Sequence, residues 1–356
     1  MKAHCLDGRT PQLRATVNQS QRMSAAGQRV AAPLQPTGGV IEGTEYFAMV
    51  PPNNQRVKGL LLHFHACNRS GEDMFLLPED RVVALAALRR QLAVVSVSAM
   101  DRETGCWSGK DARTLLQNRF IAKLLIKLRL PSNLPRIGLG TESGADFLTS
   151  TYHAFRLESM ASYMSPAGLE RELQRQHTAH WKIPPTIFVH NELDQDIGRQ
   201  VQQHHRSLQE AGIESEVLSI PPHPITTDLC DGRLPEVGDR RCRFFLQRAL
   251  ELGLLDTETN EVTECYRDSI RWKRVLEDAR LDDDLRHSVG AMTEPHVLGN
   301  VSPASRSGHS WIWAAVEQTI EVAYARGHEH MTSEGHEQVL DFLVHHAVVD
   351  RTRRRR

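Results

Sequence analysis

Residues 136–147 read Arg-Ile-Gly-Leu-Gly-Thr-Glu-Ser-Gly-Ala-Asp-Phe, and the five at the centre decide the fold. Gly140-Thr141-Glu142-Ser143-Gly144 has the spacing Gly-x-Ser-x-Gly. That pattern marks a sharp strand-to-helix turn which presents its middle side chain from a strained backbone. The flanking glycines relieve crowding on both sides of the turn. Here the middle residue is Glu142, so the frame is kept while the usual nucleophilic serine is missing. The motif predicts a strand at Arg136–Leu139 and a helix starting near Gly144.

Outward from that turn, apolar runs alternate with helical patterns. Val57–Phe64 and Leu92–Val97 are continuous apolar runs of the kind found in strands covered on both faces. Between them, Asp80–Gln91 sets Val82, Val83, Leu85 and Ala86 at helical spacing. Leu116, Phe120, Leu124 and Leu128, with Ile121 and Leu125 beside them, predict one helix ended by Pro131 and Pro135. Ser159–Met164, Thr186–Val189 and Glu216–Ile220 predict further strands, and Ile197–Ala211 a helix stopped by Gly212. The alternation implies a doubly wound, mostly parallel α/β sheet with helices on both faces. Sites in such sheets gather at the carboxyl ends of the strands.

After Pro224 the alternation stops. Cys242, Phe245, Leu246, Ala249 and Leu250 form an amphipathic stripe, Trp272–Leu281 and Trp311–Ala325 read as helices, and Gly299–Gly308 reads as a loop. Val339, Leu340, Phe342 and Leu343 belong to a final helix. The expected organisation is a leader without fixed fold (1–38), a core (39–223) and a helical insertion that would serve as a lid (224–325). The final histidine loop and helix (326–350) and a basic tail (351–356) complete it.

The chain has 356 residues with a net charge of −1, so no global field draws in nucleic acid. No apolar run approaches the ~20 residues of a membrane span. Residues 1–38 are rich in Arg and Ser, with Asp7 the one acid, which fits a disordered leader or, more sharply, an organelle transit peptide. The 6 cysteines show no Cys-x-x-Cys pairing and are expected to be reduced thiols of an intracellular protein.

Three stretches fit around the turn. His63-Phe64-His65-Ala66-Cys67-Asn68 follows a buried strand, where a backbone N–H near Ala66 and Cys67 can help hold an oxyanion. The amide of Ser143 would be the second donor. Asp194 follows the strand at Thr186–Val189 and suits an acid that orients a histidine, with Asp196 as the fallback. His328 and His330 precede the final helix, where that histidine is expected; His223, between prolines, ranks third.

Together these residues resemble the α/β-hydrolase superfamily over roughly residues 45–223 and 326–346. Within it the chain looks most like a plant- and algal-type branch with a His-Gly-Cys turn, a Cys-Trp after the next strand, a Gly-x-Ser-Ser-Gly elbow and a Met-Thr-Ser before the last helix. The matching residues are His65-Ala66-Cys67, Cys106-Trp107, Gly140–Gly144 and Met331-Thr332-Ser333. Ala66 stands where that branch has glycine, and Glu142 where it has the nucleophile.

The resemblance implies descent from serine esterases, with weak or no hydrolase activity. One alternative is a pseudoenzyme that keeps the pocket for a small-molecule ligand, as a receptor does. Another is an active hydrolase using Glu142 or Ser143. No cofactor is expected. His63-x-His65, His204-His205, His328-x-His330 and His345-His346 lack the acid or thiolate spacing of a defined metal site, so no metal is expected either.

Overall fold

The apolar runs pair into one eight-stranded sheet in the computed structural model, which describes residues 34–52, 57–117, 119–165, 168–176, 182–235, 237–266, 269–279, 311–325 and 330–354. The strands are β1 (Thr37–Ile41), β2 (Thr44–Met49), β3 (Gly59–Phe64), β4 (Leu92–Val97), β5 (Arg136–Thr141), β6 (Ser159–Tyr163), β7 (Thr186–Asn191) and β8 (Ser215–Ile220). Their order is β1-β2-β4-β3-β5-β6-β7-β8. β2 runs antiparallel to β1 and β4, and every other pairing is parallel. This is the doubly wound sheet the sequence implies. β3, β4, β6 and β7 are buried along their whole length, which is why they read as unbroken apolar runs.

Two helical clusters cover the sheet. One face carries α3 (Gly109–Gln117), α4 (Phe120–Lys127) and α5 (Ser143–Phe155), with Phe64, Trp107, Leu124, Phe147 and Phe155 in its core. On the other, α2 (Pro78–Arg89) and the final helix (His336–Arg354) pack Val83, Ala87, Leu340 and Leu343 against Leu61, Val94 and Ile187. The helices α1 (Asp73–Leu76), α6 (Leu169–Gln176) and α7 (Gln195–Glu210) complete the connections up to β8.

The chain departs from expectation in three places. The single helix predicted across Leu116–Leu128 is broken between α3 and α4, where Arg119 takes a left-handed φ of 49° and Leu116 is left exposed. The β1–β2 hairpin was not anticipated: its polar, glycine-bearing strands carry little apolar alternation. Its turn residues Glu42 and Gly43 both have positive φ, which suits the twist of a two-residue hairpin. β1 starts at Thr37, so two residues of the expected leader belong to the sheet.

The third correction concerns cysteine. Cys67 and Cys106 form a disulfide across 39 residues, and Cys242 and Cys265 are also disulfide-bonded. Spacing alone could not show this, because Cys67 and Cys106 lie on loops after different strands that the sheet brings side by side. Among the described residues no cysteine is free, and no helix is long and apolar enough to cross a membrane.

Beyond β8, α8 (Thr227–Arg233), α9 (Asp239–Glu251), α10 (Ile270–Asp278) and α11 (Trp311–Tyr324) share a hydrophobic cluster of their own, including Phe245, Ala249, Trp272, Val275 and Ile320. Buried polar bonds tie it to the first turn of α2. Arg233 pairs with Glu79 at 3.0 Å, both side chains being 3% exposed. Gln318 accepts from the Glu79 amide at 3.1 Å and donates to Asp80 at 2.6 Å. Ser333 donates both its amide and its hydroxyl to Glu79. The final helix, His336–Arg354, is α12 here. The Asp282–Asp284 run, the Gly299–Gly308 loop and most of the leader lie outside the described residues.

Candidate active site

The register of β3 on β5 pairs His63 with Leu139 and Phe64 with Gly140, so the turns that leave both strands meet at the carboxyl ends of the central strands. On the β5 side Glu142 sits at φ 50° and ψ −114°, between the strand and the first turn of α5. A positive φ is uncommon for a residue with a side chain and marks a conformation imposed by its surroundings. The imposition is visible. The Glu142 amide donates to Tyr163 O at 2.9 Å, and its carbonyl accepts from the amides of Ala145 and Asp146. At Gly144 an added Cβ would lie 2.1 Å from Phe64 O, and at Gly140 one would lie 2.5 Å from Gly144 O. The expected elbow is in place.

On the β3 side, His65 fixes the facing turn. Its Nδ1 lies 2.7 Å from Ala66 O and its Nε2 accepts the Ala99 amide at 3.1 Å. That pattern suits a neutral ring with the proton on Nδ1. Burial agrees with it, pushing the His65 pKa down to about 4. The Ala66–Cys67 peptide is thus held by its carbonyl, which aims its N–H at the elbow. Cys67 N donates to Glu142 Oε2 at 2.7 Å. The disulfide to Cys106 holds the same residue by its side chain, and Asn68 N donates to Thr104 O at 2.7 Å across the same two loops.

These bonds decide what the site can do. The Cys67 N–H is the donor expected to stabilise a developing oxyanion. It is already engaged by a side chain from the nucleophile's position. Ser143, the expected second donor through its amide, begins α5, and its Oγ is buried. Ala66 is itself buried.

Asp194 follows β7 as predicted, but there it caps α7, accepting from Ile197 N at 3.1 Å. Asp196 pairs with Arg199. His330 is buried and pairs through Nε2 with Glu321 on α11 at 2.7 Å, not with Asp194. Glu321 comes from the helices after β8, a source that the order of elements in the sequence does not reveal. The signals that sequence reading missed are Arg69, whose Nη2 lies 3.1 Å from His330 Nδ1, and Glu321 itself. The spacing of Glu317 and Glu321, one helical turn apart, was a readable hint. His328 lies outside the described residues. His223 is half-buried, desolvation of its ring lowers its pKa, and its amide donates to Ala323 O at 3.1 Å.

Glu317, Glu321 and His330 bring their ligand atoms within 4.8 Å of one another. A neutral imidazole has one free lone pair to give a cation. Here Nε2 faces Glu321 and Nδ1 faces the Arg69 guanidinium, so the ring has none to spare, and a positive charge already sits beside it.

No protein-family model matches the chain, and no curated protein matches it in sequence. Solved structures do resemble it at low identity. A lipase in its open form is 10% identical over 52% of this chain and 90% of its own, with a TM-score of 0.38. An α/β-hydrolase enzyme from a Medee basin deep-sea metagenome library is 11% identical over 55% and 84%, with a TM-score of 0.40. A thermophilic esterase from the planctomycete Thermogutta terrifontis, solved with butyrate bound, is 13% identical over 63% and 96%, with a TM-score of 0.38.

Proposed function

We propose that this protein, whose sheet is that of the α/β-hydrolase fold, is a pseudoenzyme of serine-esterase descent whose hydrolytic site is closed by its own side chain. The observation that carries the reading is the 2.7 Å bond from Cys67 N–H to the Glu142 carboxylate. A carboxylate there occupies the donor that a tetrahedral intermediate would need, and it is a poor replacement for serine. Its extra chain length relative to the aspartate nucleophiles of related chemistry misplaces the attacking oxygen, and ~1 Å of misplacement can cost ~10²-fold in rate. Pairing of His330 with Glu321 and Arg69 supports the same reading, since that ring is engaged on both sides. The Cys67–Cys106 disulfide supports work in an oxidising compartment.

A broad ester screen on the native protein beside Glu142→Ala and Glu142→Ser tests this. Native and Glu142→Ala proteins should turn over esters at the same background rate, because triad members act as a unit. An acyl-enzyme burst on Glu142 or Ser143 of the native protein would overturn the reading in favour of an active hydrolase.

A further inference from the structure

Asn-x-Ser, with x other than proline, is the acceptor pattern for N-linked glycan transfer. It stands in this chain at Asn18-Gln19-Ser20, Asn68-Arg69-Ser70 and Asn300-Val301-Ser302. Among these, Asn68 lies in the described residues, directly after the disulfide-bonded Cys67. A pattern this short recurs by chance, so its weight comes from the loop that carries it. Asn68 is exposed, and its φ of 59° falls in the left-handed region that asparagine adopts more readily than most residues. Its backbone is held from the inner side. The Asn68 amide donates to Thr104 O at 2.7 Å, and a Cβ added at Gly105 would lie 3.0 Å from that same nitrogen. Its side-chain amide makes no hydrogen bond to any of the described residues, so nothing among them draws it back onto the protein.

The disulfides supply an independent observation. Cys67–Cys106 is closed, and Cys242 and Cys265 are bonded as well, which is the chemistry of an oxidising compartment. In eukaryotic cells the lumen that closes disulfides is also the one in which N-linked glycans are added. We propose that Asn68 is an N-glycosylation site whose glycan stands over the two loops joined by Cys67 and Cys106. The donor is an oligosaccharide carried on a lipid pyrophosphate. A bond forms between Asn68 Nδ2 and the anomeric carbon, and the bond from that carbon to the pyrophosphate oxygen breaks. The lipid pyrophosphate leaves with the electron pair, and the amide gives one proton to a base of the transferase. Ser70 is 2% exposed and donates its amide to Asp73 at 2.8 Å. A transferase therefore reads Ser70 before this loop docks, and the exposed Asn68 leaves room for the glycan once it has. The inference rests on the oxidising compartment argued above, and not on whether Glu142 closes the neighbouring site.

The test uses protein isolated from the cells that make it. Thiol alkylation without reductant reads Cys67 and Cys106, and peptide mass spectrometry after a peptide N-glycosidase in heavy-oxygen water reads Asn68. Asn68 should return as heavy-oxygen aspartate, in protein whose Cys67 and Cys106 resist alkylation. Asn68→Asp keeps a residue type that tolerates the left-handed turn and should lose the mass of one glycan. Ser70→Ala, which leaves Asn68 in place but breaks the acceptor pattern, should lose the same mass. Either variant with its glycan mass unchanged would overturn the proposal. So would Asn68 recovered as plain asparagine, even with a glycan on Asn18 or Asn300. If the two cysteines are bonded in that sample, this inference fails alone; if they alkylate freely, the oxidising compartment fails with it. Ester turnover is read separately, so the pseudoenzyme reading stands or falls on its own measurement.

Discussion

The backbone N–H of Cys67 and the carboxylate of Glu142 stand 2.7 Å apart, the length of a charge-assisted hydrogen bond. Two loops 75 residues apart in sequence are therefore joined where the strands β3 and β5 end. Cutting Glu142 back to alanine should free that donor. In Glu142→Ala, acetate titration should move the Cys67 amide resonance, and in the native protein it should not. A native Cys67 amide that responds equally to acetate would mean the carboxylate does not hold it.

Gly144→Ala should prevent folding or destabilise the protein by more than about 3 kcal/mol, the scale of severe core overpacking. The added carbon would meet Phe64 O at 2.1 Å and His65 O at 2.5 Å, both backbone atoms of a central strand and its turn. Circular dichroism and urea unfolding check this. A variant of native stability would show that α5 can back away from β3.

Breaking the Cys67–Cys106 link should cost about 2–4 kcal/mol, as expected for a loop of 39 residues closed in the unfolded chain. The Cys67→Ser, Cys106→Ser double variant should melt lower than the native protein. An unchanged melting temperature in the variant would contradict the assignment.

Asp80 makes stability depend on pH in an unusual direction. Burial pushes its pKa up to about 7, against the hydrogen bond from Gln318, with the nearby Asp73 and Glu79 charges adding to the rise. The unfolded value is ~3.9, so between about pH 4 and 7 the folded state binds the extra proton and stability falls as pH rises. Glu334, raised to about 7 by burial and then by Glu79, acts in the same sense. His63 and His65 act oppositely. Burial lowers them to about 3 and 4, so stability is lost as pH falls below the unfolded ~6.5. Asp80→Asn keeps an acceptor for Gln318 and removes the titration. Its stability relative to native should grow from pH 4 to pH 8 by roughly 2–4 kcal/mol. A gap that stays constant across urea titrations at pH 4, 6 and 8 would rule out a shifted Asp80.

The sheet was legible because its central strands are buried on both faces and so spell themselves as apolar runs. Leu92–Val97 coincides with β4 residue for residue, and the elbow was legible because close backbone approach leaves glycine no substitute at 144. The hairpin at Thr37–Met49 was not, since edge strands need not be apolar throughout. In the site, the reading found Glu142 and the Cys67 turn, both tied to strand ends. The partner of His330 was not legible, because Glu321 reaches that ring from a helix whose docking depends on tertiary packing. No local pattern announces such a contact.

The buried clamp between α2 and the inserted helices also fixes when this protein can finish folding. Glu79 is made 154 residues before Arg233 and 254 before Ser333, the partners that neutralise and bond it. At ~5–20 residues per second of synthesis, Glu79 waits roughly 8–31 s for Arg233 and roughly 13–51 s for Ser333. A buried carboxylate without its partner is too costly to hold in place, so the first turn of α2 stays open to water until Arg233 has been made. The strands up to β8 are therefore not a unit that matures ahead of the helices made after them. The sheet can collapse early, but the closing of that turn waits for Arg233 and Ser333.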